Sequence, residues 1–419
     1  IPNPQSPIPN PQSPKIINFF INCINLNRIK NIYHLKMSRD YFVPDQIEDT
    51  VQCLKFIPTQ NINYLAAGGW DNKLRIFNIN YNVINSLSIE EAQISSSLEY
   101  GYQHNSPIFS LSWEGNSGKI FTSCADGSVN VLDMQKKTLT PIGNHKSACK
   151  EVIYHQNYNI LLTGGWDGVV NIFDLRSSGP ICSYQFENKV YSMSCVKDLF
   201  VVGLSETKIA YFDLRKLQNK IFKPELIFNS HLKYQTRKVC CFPDGRGFAE
   251  GSIEGRVAIK NIKDLNNPPP INKENGTIMG KDDQGKDDFA FRCHRNTKNN
   301  PVLVYAVNDI AFNPVYGTFC TVGSDGIYSI WDKYNRSRLF ERTETQDKTP
   351  LTACDYNSSG TLIAFASGYD WSRGAEAAKE YINANKIGIH FLPSNQKETP
   401  ESHASLQRLA DRLEYSAQQ

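Results

Sequence analysis

The 419-residue chain contains no run of about 18 apolar residues, so no segment reads as a helix long enough to span a bilayer. It has no Cys-x-x-Cys pair. Its eleven cysteines form an odd set, and Cys53, Cys195, Cys240 and Cys320 sit inside strand-like runs where a thiol acts as a small hydrophobe. A reducing compartment fits that usage. Gly-x-Ser-x-Gly, Gly-x-x-x-x-Gly-Lys-Ser/Thr and His-Glu-x-x-His are all missing, which removes the usual signatures of an esterase, a P-loop enzyme and a zinc protease. Nor is there a large excess of one charge. The 45 basic and 42 acidic residues are interspersed, and a net +3 does not by itself indicate a nucleic-acid partner.

What the chain does have is a repeat. Phe77-Asn78, Leu132-Asp133, Phe173-Asp174, Phe212-Asp213, Lys260-Asn261 and Trp331-Asp332 each end a short β-branched or aromatic run, such as Val169-Val-Asn-Ile-Phe173 or Ile327-Tyr-Ser-Ile-Trp331. The shortest intervals, 41 and 39 residues, match the period of a propeller blade at about 40 to 45 residues. A turn precedes each of five runs: Trp70-Asp71-Asn72, Ala125-Asp126-Gly127, Trp166-Asp167-Gly168, Glu254-Gly255 and Asp325-Gly326. Asp followed by Gly or Asn suits a two-residue hairpin, because the carboxylate bonds local amides and the second residue tolerates positive φ. His104, His145, His231 and His294 lie upstream of four of these turns, where propeller histidines bond the turn aspartate, and they read as structural residues.

The expected fold is therefore all-β, a single seven-bladed WD-repeat propeller over residues 37–393. Leu351 to Tyr356, Leu362 to Ala366 and Ile387 to Leu392 alternate as three strands of a seventh blade. Its fourth strand is expected from Tyr41 to Pro44, so that the start of the propeller pairs with its end and removes a sheet edge. Residues 1–36 open with a perfect duplication of Ile-Pro-Asn-Pro-Gln-Ser-Pro and read as a disordered extension. The apolar part of 16–36 imitates a signal segment, but Asn interrupts it and its basic residues lie on the wrong side. The stretches 83–103 and 263–288 read as surface inserts. In the tail, 394–419, the spacing of Leu406, Leu409 and Leu413 allows a short amphipathic helix.

No catalytic residue, metal ligand or cofactor is expected; the pattern is that of a scaffold presenting loops. The candidate contact residues are those the repeat does not need. Trp70 and Trp166 stand where other blades carry Ala125, Ile253 or Ser324, and an indole exposed at a turn is a binding hot-spot residue. Arg237 and Arg256 are placed where a guanidinium fork can take a carboxylate, with an internal salt bridge as the competing reading. Ser252-Ile-Glu254-Gly-Arg256 imitates an acid and a clamp, but Glu254 fills the turn position.

Several blocks carry a resemblance. Leu232-Lys-Tyr-Gln-Thr-Arg237, Gly251-Ser-Ile-Glu-Gly-Arg-Val257, Phe289-Ala-Phe-Arg-Cys-His-Arg295, Tyr305-Ala-Val-Asn308 and Gly323-Ser-Asp-Gly326 resemble the Rae-one/Gle-two family of mRNA export propellers and its paralogue, the Bub-three spindle-checkpoint propeller. Trp166-Asp-Gly168, Asp174-Leu-Arg-Ser-Ser-Gly-Pro180 and Ala366-Ser-Gly-Tyr-Asp-Trp-Ser-Arg-Gly374 favour the export branch, whereas Tyr234-Gln-Thr-Arg237 is as close to the checkpoint branch. The family usually has Ser where this chain has Gly69, and the 263–288 insert is a further departure. The resemblance covers about residues 45 to 393. It implies a non-enzymatic factor at the nuclear pore complex of the nuclear envelope, shuttling to the cytoplasm, that holds the Gle-two-binding segment of a phenylalanine-glycine nucleoporin. It also implies that Trp70, Trp166, Arg237 and Arg256 contact that segment, and that single-stranded RNA is met together with the nucleoporin at Lys136, Lys137, Arg215 and Lys216. The alternative it implies is a checkpoint adaptor binding a similar segment of a checkpoint kinase.

Overall fold

A computed structural model describes residues 40–262, 265, 288–342, 349–381 and 383–397, apart from 87–88, 116, 178 and 220. The readings made for 1–36, for most of the 263–288 insert and for the tail beyond 397 lie outside the described residues. The described residues form one compact unit.

That unit is a seven-bladed β-propeller of four-stranded antiparallel sheets. Blade 1 is built from Val51–Phe56, Tyr64–Gly69, Lys73–Ser86 and Ile89–Gln103, and blade 2 from Ile108–Glu114, Lys119–Cys124, Ser128–Asp133 and Thr138–Asn144. Blade 3 comprises Cys149–His155, Ile160–Gly165, Val169–Asp174 and Pro180–Gln185; blade 4, Val190–Val196, Leu199–Leu204, Lys208–Asp213 and Leu226–Asn229. Thr236–Cys241, Gly247–Ser252, Arg256–Asn261 and Phe289–Arg292 form blade 5, and Val307–Phe312, Phe319–Gly323, Tyr328–Asp332 and Ser337–Glu341 form blade 6. Blade 7 takes Leu351–Tyr356, Leu362–Ser367 and Lys386–Phe391 from its own stretch, and Tyr41–Phe42 pairs with the last of these as the outermost strand. The core lies between blades. Ile172 of blade 3, for example, packs in one cluster with Met193, Val202 and Phe212 of blade 4.

Each blade's first strand is innermost, and side chains of one inner strand hold the next. Ser112 Oγ accepts from the Tyr154 amide at 2.8 Å, Ser194 Oγ from Cys241 at 2.8 Å, Asp309 Oδ2 from Cys354 at 3.0 Å and Asp355 Oδ2 from Phe56 at 2.8 Å. These bonds occupy edge amides that the sheets leave unpaired. Two further ties are ionic: Lys238 Nζ lies 3.4 Å from Glu151 and 3.3 Å from Asp309, and Lys55 Nζ lies 2.8 Å from Asp355.

The closing strand is reinforced on both sides, towards blade 6 and towards blade 1. Behind the closing strand, Asp40 accepts from Arg342 Nε at 2.7 Å, from His390 Nδ1 at 2.9 Å and from the Tyr328 hydroxyl at 3.1 Å. In front of it lies a long hairpin, which corrects the reading of 83–103 as a loop. Pairing continues past Asn78↔Ser97 to Ser86↔Ile89, so the Phe77-Asn78 dipeptide does not end its strand. The apolar residues Ile79, Tyr81, Ala92 and Ile94 share one face of the extension and land on the blade 7 core. There Tyr81 Oη lies 3.0 Å from Thr361 Oγ1, and Tyr41 Oη lies 2.9 Å from Ser96 Oγ.

The histidine expectation holds for two of four. His145 Nδ1 lies 3.1 Å from Asp167 with Nε2 2.9 Å from Thr163; His294 is set in the same way, 2.9 Å from Asp325 and 2.9 Å from Thr321, to which the Trp331 indole also donates at 2.9 Å. Gly165 leaves room for the pair, since a Cβ there would come within 2.7 Å of both His145 and Asp167. His104 instead faces the Cys124 thiol at 3.8 Å, and burial pushes its pKa down to about 4 against the pull of Asp126. His231 is exposed and makes no hydrogen bond with a described residue.

In blade 5 the threonine position is taken by Glu250, 1% exposed, which accepts from Thr236 Oγ1 at 2.5 Å while its other oxygen has no partner. Burial raises its pKa, with Ser230, Thr236 and Lys260 acting the other way. A carboxyl raised in the fold binds its proton more tightly there than in the unfolded chain. Its contribution is therefore full in acid and is lost as pH rises through the folded value. Glu250→Gln should remove that loss: urea unfolding should show the variant gaining on the wild type between pH 4 and pH 7, and parallel pH profiles would refute the assignment.

Candidate functional site

All seven inner strands carry a bulge at the same place. The residue skipped by the ladder is Gln52, Phe109, Lys150, Tyr191, Arg237, Asn308 and Thr352 in blades 1 to 7. A bulge re-aims its side chain and is a common device beside binding sites. The bulges lie at the strand ends that meet the hairpin turns between second and third strands, so ring and turns share one face of the propeller. Trp70, Trp166, Ile253 and Ser324 occupy those turns.

On this face the blades 1 to 3 form a continuous aromatic row. Phe109, nearly buried, lies with its ring centroid 5.4 Å from Trp70 and 5.8 Å from Trp166. The two indoles above it remain 41% and 37% exposed. The Trp70 indole N–H donates to the bulge residue Gln52 at 3.2 Å, which fixes the ring's orientation. Cations complete the row, with Lys150 Nζ 5.5 Å from the Phe109 centroid and Lys189 Nζ 5.9 Å from that of Trp166.

Positive charge continues towards blade 5. Burial lowers the Lys150 pKa, as do the charges of Lys238 and Arg237, while Glu151 acts the other way. Arg237 is exposed, and neither its side chain nor that of Lys150 makes a hydrogen bond or ion pair with a described residue. Two crowded, unpaired cations beside an exposed apolar row favour an extended ligand that brings both apolar side chains and carboxylates.

The repeats and the whole chain have known counterparts. Residues 44–78, 96–133 and 136–174 match the family model described as WD domain, G-beta repeat. The Poly(A)+ RNA export protein of Schizosaccharomyces pombe is 34% identical over 363 residues, which cover 86% of this chain and 92% of that protein. The mRNA export factor rae-1 of Caenorhabditis elegans is 33% identical over 374 residues, 86% of this chain and 90% of the relative. The mRNA export factor GLE2 of Chaetomium thermophilum is 33% identical over 332 residues, 78% and 83% of the two chains. This chain belongs to the Rae1/Gle2 family of mRNA export factors.

In this Rae1/Gle2 propeller, Trp70, Trp166 and Arg237 share the bulge face, and Arg256 starts the third strand of blade 5 just behind it. Arg256 Nε lies 3.6 Å from Glu254 but has no hydrogen-bond partner, an arrangement between the two readings made for it. The four residues named for RNA lie at turns between third and fourth strands, on the other face. Arg215 is held by Asp213 through Nε at 2.8 Å and Nη2 at 2.6 Å, and Lys216 by Glu225 at 2.5 Å. Lys136 is exposed, with Asp133 3.9 Å away, and Lys137 is exposed in a left-handed conformation at φ 55°. Sequence reasoning singled out neither Phe109 nor Lys150 for this face. Their signal is positional: each is the second residue of an inner strand.

Proposed function

We propose that this chain is a nuclear mRNA export factor that works as a non-enzymatic scaffold at the nuclear pore complex, holding the Gle-two-binding segment of a phenylalanine-glycine nucleoporin across its bulge face. The row Trp70, Phe109 and Trp166, bordered by Lys150, Lys189 and Arg237, is the observation that supports this reading most directly. Apolar residues of the segment rest on the indoles, and its carboxylates face Lys150 and Arg237. Arg256 contributes from the rim of blade 5. RNA, met jointly with the nucleoporin, falls to Lys136 and Lys137, because Arg215 and Lys216 already have carboxylate partners.

The test is a pull-down of the organism's phenylalanine-glycine nucleoporins by wild type, Arg237→Glu and Lys136→Glu/Lys137→Glu. Arg237→Glu should reduce capture at least tenfold, since reversing a charge at a desolvated contact costs about 1.4 kcal/mol or more. The lysine pair should leave nucleoporin capture unchanged and reduce RNA crosslinking. Full capture by Arg237→Glu would sink the assignment. In living cells a steady nuclear-rim signal is expected; signal confined to kinetochores in mitosis would instead support the checkpoint adaptor.

A further inference from the structure

The ring of bulges carries one polarity that the cationic row does not explain. In blade 7 the turn between second and third strands is expanded to residues 368–385, and its first residues are held rigidly. Gly368 donates to Pro350 O at 3.0 Å, and Thr50 Oγ1 donates to Tyr369 O at 3.0 Å. The Tyr369 ring stacks on Tyr381 at 4.8 Å and 10°, and its hydroxyl donates to Gly374 O at 2.6 Å. Thr50 O in turn accepts from the Trp70 amide at 3.0 Å, so this loop adjoins the aromatic row.

Two residues of the loop stand out. Trp371 is 55% exposed and adopts φ 61°, a left-handed conformation that is costly for a large residue and is retained chiefly at functional positions. Asp370 beside it is bonded by Ser324 Oγ, by the bulge residue Asn308 through Nδ2 at 3.3 Å and by the Ser372 amide at 3.1 Å. Burial alone would raise this carboxyl, but those donors outweigh it and hold it below its ordinary value, so it is charged at neutral pH. Asp370 is also the carboxylate whose charge acts on Arg237. The face thus runs from cations over blades 3 and 5 to a fixed anion over blades 6 and 7.

We propose that the bound segment is read with a fixed polarity: its acidic side chain lies over Lys150 and Arg237, and a basic or amide side chain of the same segment lies over Asp370 beside Trp371. Asp370 is a specificity residue that repels a purely acidic peptide from blade 7 and rewards a donor there. Trp371 supplies the apolar stem contact for that donor. The inference rests on the peptide-binding reading above and adds the partner's charge pattern to it.

Two fluorescein-labelled synthetic peptides test it by anisotropy: one carries leucines and glutamates only, the other the same residues with a lysine pair at one end. The wild type should bind the lysine-bearing probe about tenfold more tightly. Asp370→Asn, which keeps the shape and an acceptor oxygen, should weaken that probe, tighten the acidic one and bring the two within about twofold. Trp371→Ala should weaken the lysine-bearing probe preferentially. If Asp370→Asn shifts both probes by the same factor, or neither, the polarity is wrong while peptide binding stands. If neither probe binds the wild type, the peptide-binding reading falls and the polarity falls with it.

Discussion

Trp166→Ala is expected to lower nucleoporin capture roughly thirty-fold, about 2 kcal/mol, with no measurable change in thermal unfolding. The two halves of that expectation come from different observations. Binding suffers because Trp166 is the outer member of a row that Phe109 supports from beneath and Lys189 borders, so its removal opens the apolar platform at one end. Folding does not suffer because the turn position itself tolerates alanine: blade 2 carries Ala125 there, with the same amide bond from turn to loop, Ala125 N to Pro107 O at 2.9 Å against Trp166 N to Ala148 O at 2.8 Å. Phe109→Ala is the informative contrast. Nearly buried, it should lose stability as well as binding. A Trp166→Ala variant that binds normally, measured by isothermal titration with the captured nucleoporin fragment, would remove the aromatic row from the site.

The largest effect on stability is expected at the seam. Asp40→Ala should destabilise closure by about 3 to 5 kcal/mol, because it leaves the largely buried Arg342 and His390 without the carboxylate that both face. Tyr41–Phe42 contributes only two paired residues to blade 7, too few to hold the ring unaided. Hydrogen exchange should therefore report the loss locally, at the Val43 amide that donates to Ile387 O at 3.0 Å, before blades 3 and 4 respond. Asp40→Ala/Arg342→Met should recover part of the loss, since removing the stranded cation removes its desolvation penalty. If the double variant is no more stable than the single one, Asp40 acts through something other than its ion pair.

Much of the scaffold was legible because its information is local. The Asp-Gly turns, the strand-ending dipeptides and the alternation of Leu351 to Tyr356 each need only a few adjacent residues, and the contribution of Tyr41 and Phe42 followed from a missing strand. The hairpin beyond Asn78 was misread because serines and glutamates dominate its composition. Its apolar residues, Ile79, Tyr81, Ala92 and Ile94, are stabilised by a surface of blade 7 hundreds of residues away. Glu250 broke the repeat's own rule in blade 5, where Thr236 of the neighbouring strand bonds it, and His231 lies exposed upstream of a turn that carries Glu254 in place of aspartate. Trp70 and Trp166 could be singled out because they exceed what the turn requires. Phe109 and Lys150 could not, since a strand residue and a bulged residue look alike in sequence and only the register distinguishes them.

The bulges separate two kinds of change in this propeller. Gln52, Lys150, Tyr191, Arg237 and Asn308 sit outside the ladder, so replacing one alters the chemistry offered to a partner without moving the register of any blade. Partner choice can then drift by single substitutions around a circle while the scaffold stays under separate constraint. Two propellers of equal stability and nearly equal backbone can in this way come to hold different segments.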